Sequence, residues 1–133
     1  MPKQGNPKPW IAKAEWDYVA ALILIRKRKT PLSDAVYFHA QQGIEKYLKA
    51  FLVWHRVYFP KTHDLSELLD LAVPHDSTLE LLRPFVRDLT RYAVAFRYPD
   101  EYATSEEARQ VVRRMQFVRE RLRQALRLKP SNA

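Results

Sequence analysis

Phe96-Arg97-Tyr98-Pro99 places a guanidinium between aromatic rings at what reads as a helix end. A guanidinium fixed there can hold a phosphate through paired, charge-assisted hydrogen bonds. Tyr98, like Tyr92 after Arg91 and Tyr102 further on, offers a ring on which a base can stack. A structural role is equally open, with Arg97 pairing with Glu45 to fasten a turn and the aromatics packing in the core. A second group, Gln42, Glu45 and Lys49, is spaced three and four residues apart, which aligns it along one helix face. Gly43 stands in the same stretch, where it costs about 1 kcal/mol relative to alanine; close approach of another helix is the usual return. The line is either a solvated polar face beside a packing glycine or a polar row turned to a partner subunit or ligand groove. On the second reading Gln42, Glu45 and Lys49 join Arg97 and Tyr98 as nucleotide- or RNA-binding candidates.

The other reactive residue types narrow the chemistry. His39, His55, His63 and His75 include no i, i+4 pair and no metalloprotease-like carboxylate pattern, so no metal site is expected. The chain has no cysteine, which excludes disulfides, thiolate metal sites and a cysteine nucleophile. No cofactor is indicated. The net charge is +8, with 23 basic and 15 acidic residues. From Ser105 onward Arg109, Arg113, Arg114, Arg119, Arg121, Arg123, Arg127 and Lys129 face only Glu106, Glu107 and Glu120. Such a surface either attracts polyanions or merely solubilises the helix. Arg109, Arg113, Arg123 and Arg127 fall near one line, while Arg114 and Arg121 sit well round from it.

The elements that must carry these residues are helical. The 133-residue chain has two glycines and nine prolines, too little glycine for a hairpin-rich sheet protein. One domain is expected over residues 9–129, with tails 1–8 and 130–133 that fray. The first helix is predicted over about 9–29, with Ile11, Ala14, Tyr18, Leu22 and Ile25 as a buried stripe. Val19, Ile23 and Leu24 widen it enough to suggest more than one neighbour, and Arg26 to Lys29 suit its negative end. The second is predicted from about Pro31 or Ser33 to Tyr58, with Thr30 before Pro31 or Ser33 before Asp34 as its cap. The third is short, about 65–72, capped by Thr62 or Asp64, with Asp64 and Glu67 at capping-box spacing. Residues 76–96 read as helix with a kink or restart at Pro84, and about 105–128 as a last helix opened by a Thr104–Glu107 capping box. The architecture expected is all-α: an antiparallel up-and-down bundle of four long helical segments plus one short helix. The longest apolar run, Val19 to Ile25, is too short for a membrane span, and no basic-then-apolar leader is present; the reading is cytoplasmic, with no membrane partner.

Gln41-Gln42-x-x-Glu45-Lys46-x-Leu48-Lys49-Ala50, then Thr62-His63-Asp64-Leu65, then Arg97-Tyr98-Pro99-Asp100, in this order and with an Ala-rich first helix bearing Asp17, resemble the HEPN domain family. The likeness covers roughly residues 10–128. It implies a five-helix bundle that commonly forms a homodimer, a cleft associated with nucleotide or RNA, and a minimal nucleotidyltransferase as partner. The family's active branch resembles a metal-independent ribonuclease, in some cases a toxin of a toxin–antitoxin pair. Its signature is an arginine followed after four to six residues by a histidine. Arg97 matches the arginine, but after four residues stands Tyr102, and no histidine follows His75. A phenol with a pKa near 10 is a poor substitute for an imidazole in acid–base catalysis, so Arg97 and Tyr102 are weak catalytic candidates. The inhibitory nucleotidylation site of that branch would fall at Thr104, which is not tyrosine. Arg56-x6-His63 fits the pattern literally but lies in the loop after the second helix. The resemblance thus favours a binding protein over a ribonuclease.

Overall fold

The computed structural model describes residues 5–27, 32–95 and 103–129, with backbone alone for 91–95. Arg97, Tyr98 and Tyr102 lie outside them. Five α-helices, α1 (Lys8–Leu24), α2 (Ser33–Trp54), α3 (Leu65–Ala72), α4 (Arg83–Ala95) and α5 (Ser105–Ala125), account for most of the described chain. Two 3₁₀ segments, Val73–His75 and Ser77–Leu82, join α3 to α4. Among the described residues there is no strand.

Residues legible in the sequence mark three helix starts, two of them by capping. Asp64 Oδ1 accepts from the Ser66 and Glu67 amides and opens α3. Thr104 and Glu107 form a complete capping box at α5. Pro84 falls in the first turn of α4, where its missing N–H costs nothing, so the predicted interruption is a restart after a 3₁₀ segment. At α2 Leu32 occupies the cap position with no side-chain hydrogen bond and Ser33 is already the first helical residue, so Ser33 is not the cap; the other candidate, Thr30, lies outside the described residues.

Two helices end earlier than their periodicity predicts, for one shared reason. After α2, Arg56 takes a left-handed φ of 58°, the Val57 amide bonds Leu52 O at 2.9 Å and the Arg56 amide bonds Val53 O at 3.1 Å. After α5, Arg127 at φ 57° repeats the pattern through Leu128 to Arg123 and Arg127 to Gln124. These are Schellman closures with arginine where glycine is usual, so no glycine announces them. The first helix also stops early, at Leu24, where the Arg26 and Lys27 amides turn back to Ile23 and Leu24 in tight i→i+3 bonds.

Helix α2 is the centre of the fold, packed against α1, α3, α4 and α5. Its Val36, Ala40, Ile44, Tyr47, Leu48 and Phe51 are buried with Leu68 and Leu69 of α3 and Val111, Met115, Val118 and Leu122 of α5. Residue pairs run in opposite senses along α1 and α2, with Gly43 against Ala14 and Asp17, and Lys49 against Trp10. They run in the same sense along α2 and α5, with Tyr37 bonded to Glu107 and Tyr47 to Arg123.

Candidate functional site

Three polar clusters and one groove hold nearly all the chemistry of the described residues. The first cluster ties α1, α2 and α5. Arg119, only 5% exposed, donates from Nε and Nη2 to Glu15 at 2.7 and 2.5 Å and lies 4.0 Å over the Tyr18 ring. Tyr47 OH donates to Glu15 at 2.6 Å, and Arg123 donates to Tyr47 OH at 3.2 Å. Burial pushes the Glu15 carboxyl up, but the hydrogen bonds from Arg119 and Tyr47 more than offset it and hold the pKa below the ordinary value. Burial and the Glu15 carboxylate raise Tyr47 to about 12, so the phenol stays protonated.

The second cluster lies in the α1–α2 seam. Asp17 accepts from His39 Nδ1 at 2.8 Å and from Lys46 Nζ at 2.5 Å. Beside it, a Cβ built on Gly43 would stand 3.4 Å from Ala14 O and 3.5 Å from Asp17 Cβ. At these ordinary contact distances the α1–α2 crossing has room for an alanine, so it does not require a glycine, although a larger side chain would meet the α1 backbone. The third cluster contains two of the nominated binding residues. Glu45 accepts from Lys49 Nζ at 3.2 Å and from His63 Nδ1 at 3.0 Å. Lys49 Nζ sits 5.6 and 5.8 Å from the centroids of the Trp10 and Phe59 rings. Glu45 and Lys49 are both buried and already paired. Their geometry fastens the His63 loop and the start of α1 to α2, engages both carboxylate oxygens of Glu45, and gives His63 the loop-fixing role that its place before α3 suggests. Gln42, on the same side of α2, is half-buried.

The groove lies at the opposite end of α2. It encloses about 760 Å³ among the end of α1 and the beginnings of α2 and α5. Leu24, Leu32, Val36 and Val112 give it apolar walls, and Arg26, Lys27, Arg109 and Arg113 line it with four cations. Arg109 and Arg113 share Glu106 at 2.9 and 3.7 Å, in exposed pairs that water screens. The start of α2, at Ser33, without a side-chain cap among the described residues, opens into the same space, and the positive end of its dipole adds to the potential. Asp34 Oδ1 accepts from the Ala103 amide at 2.7 Å, tying the two helix starts together.

Sequence spacing shows the Glu45–Lys49 pair and the Arg109–Arg113 line, but not the partnerships of Glu15 with Arg119 or Asp17 with His39 and Lys46. Arg119 reads as one surface cation among eight; its only distinguishing signal is its place beside Val118 and Leu122 on the buried arc of α5. His55 and His75, far apart in sequence, bring their rings to 5.2 Å. Burial and the neighbouring His75 charge lower the His55 pKa. Among the described residues no group of three or more His, Cys, Asp or Glu side chains could hold a metal, and no helix is long and apolar enough to cross a membrane.

An all-helical domain with paired charges inside and a cationic groove at one end is the class of protein these features define. A family model for the HEPN domain matches residues 8–125, most of the chain, and the protein belongs to the HEPN family. No curated protein and no solved structure matches it.

Proposed function

We propose that this HEPN protein is a nucleotide- or RNA-binding homodimer that acts with a minimal nucleotidyltransferase partner, folded as an up-and-down bundle and without ribonuclease activity of its own. The observation that carries the reading is the groove: four cations over apolar walls at a helix start are suited to a phosphate chain with its bases against the walls. Arg97 and Tyr98 precede Ala103 and α5 closely in the sequence, and the proposal adds their guanidinium and ring to the same ligand. Glu45 and Lys49, closed into their own pair, contribute stability to the site and not contacts. The alternative, a metal-independent ribonuclease toxin, lacks the histidine that should follow Arg97.

Incubating labelled single-stranded RNA with wild type, Arg97→Ala and Arg127→Ala tests the proposal. The expected result is no cleavage, with affinity about tenfold lower in Arg97→Ala and nearly unchanged in Arg127→Ala. Cleavage that disappears in Arg97→Ala would establish the ribonuclease instead. Equal losses in both variants would mean diffuse attraction with no site.

A further inference from the structure

Helix α1 is apolar on a side that no described residue covers. Its inner face buries Ala14, Asp17 and Ala21 against α2, and Glu15 and Tyr18 turn toward α5. The opposite face carries Ala12, Trp16, Val19 and Ile23, with the last three 69%, 50% and 52% exposed. Spacings of four, three and four residues are those of a heptad seam, the pattern with which one helix receives another. Lys8 and Lys13 stand exposed toward one end of this seam, Arg26 and Lys27 at the other. None of the four is paired with an acid among the described residues. The two acids of the helix, Glu15 and Asp17, are held inside by Arg119 and by His39 with Lys46.

Charge decides what can cover the seam. A second copy laid antiparallel sets Lys8 and Lys13 against Arg26 and Lys27, and one laid parallel sets each cation against itself. Both pairings set cation on cation, and like charges in register disfavour a second copy at this face, which leaves the proposed homodimer to another surface. A membrane surface fits less well, because an interfacial helix carries its cations along both flanks of the apolar face, whereas these are concentrated toward the ends.

We infer that the outer face of α1 is a docking seam for one acidic amphipathic helix of a different polypeptide, its apolar stripe on Trp16, Val19 and Ile23 and its carboxylates at the two cationic ends. At 1.5 Å per residue the cationic ends are about 27 Å apart, so the partner helix needs acids roughly 18 residues apart. The inference stands on the apolar face and does not need RNA in the groove, but Arg26 and Lys27 line both, so RNA bound there would compete for this end of the seam.

Two designed helical peptides with one shared leucine heptad stripe, one with glutamates and the other with lysines at both ends, serve as probes. Their binding to the full chain is followed by isothermal titration at low salt. The glutamate peptide is expected to bind at least about tenfold more tightly than the lysine peptide and to weaken as salt rises. Trp16→Ser with Ile23→Ser should abolish binding of both, and Lys8→Glu with Lys13→Glu should narrow or reverse the preference. Circular dichroism should remain unchanged, since all four positions are on the surface. Equal binding of the two peptides, no binding of either, or a glutamate-peptide affinity indifferent to Trp16→Ser with Ile23→Ser would overturn the inference. So would a wild-type dimer that Trp16→Ser dissociates, which would give the seam to a second copy, or anionic vesicles binding where neither peptide does. RNA affinity measured on the same variants stays at the wild-type value if only the seam is affected.

Discussion

Replacing Arg119 with methionine removes the cation that joins α1 to α5 while keeping most of its volume, so the penalty reports electrostatics more than cavity formation. Arg119 loses a two-point bond to Glu15 and a 4.0 Å stack on Tyr18. Breaking one side of a buried pair costs about 3–5 kcal/mol. Glu15 is still about 30% exposed and keeps Tyr47 at 2.6 Å with Arg123 at 3.6 Å, so the low end applies. Adding roughly 0.5–1 kcal/mol for the Tyr18 stack gives a destabilisation near 3–4 kcal/mol. Urea denaturation at pH 7 should show this as a lower midpoint with an unchanged slope. The pH dependence gives a second reading. Glu15 has a folded pKa held below its unfolded value of 4.5. Its contribution is therefore complete above that value and is lost as pH falls through the folded pKa. The gap between wild type and Arg119→Met should narrow between pH 5 and pH 3, within the range where both remain folded. A penalty under about 1 kcal/mol, or one that does not change over that range, would refute the assignment of the pair as a buried clamp.

Gly43→Ala should be neutral or stabilise by up to about 1 kcal/mol in thermal melts, because its Cβ meets Ala14 O at an ordinary 3.4 Å while helix propensity improves. Gly43→Leu should cost about 3 kcal/mol by forcing the α1–α2 crossing apart; equal tolerance of both would contradict the close crossing. Tyr47 titrates at about 12 in the fold against 10 unfolded, so its contribution is complete below pH 10 and is lost as pH rises toward 12. The loss should be roughly 2–3 kcal/mol, and it should be absent from the alkaline unfolding curve of Tyr47→Phe. Lys49→Met should destabilise by about 2–3 kcal/mol, leaving Glu45 with His63 alone, with RNA affinity within about twofold of wild type. Unchanged stability with a large loss of affinity would instead make Lys49 a ligand contact.

The sequence carried the helix starts better than the helix ends, and for a physical reason. A start is marked by a side chain doing a local job, as Asp64 and Thr104 do. The ends at Arg56 and Arg127 are closed by backbone hydrogen bonds around an arginine in the left-handed region, where no glycine marks the turn. The α3 span and the restart at Pro84 were legible because each follows from a constraint within a few residues of the chain. The candidate site was legible only in part. Spacing along one helix brings Glu45 to Lys49 and Arg109 to Arg113, and charge counting brings attention to α5. It cannot show that Arg119 turns inward to Glu15, that His63 and Trp10 close over Glu45 and Lys49, or that Arg26 and Lys27 meet Arg109 and Arg113 around one groove. Those meetings depend on which faces α1, α2 and α5 present to each other, a tertiary fact.

The groove is tested most directly by the salt dependence of single-stranded RNA binding in wild type, in Arg109→Gln with Arg113→Gln, and in Arg87→Gln, a control on the exposed face of α4. Each lost phosphate contact lowers the slope of log affinity against log salt by about 0.7. The groove variant should therefore lose about 1.4 from its slope together with much of its affinity, while Arg87→Gln keeps both. Equal, small changes in the two variants would show that RNA senses only the overall charge and that the groove is not a binding site.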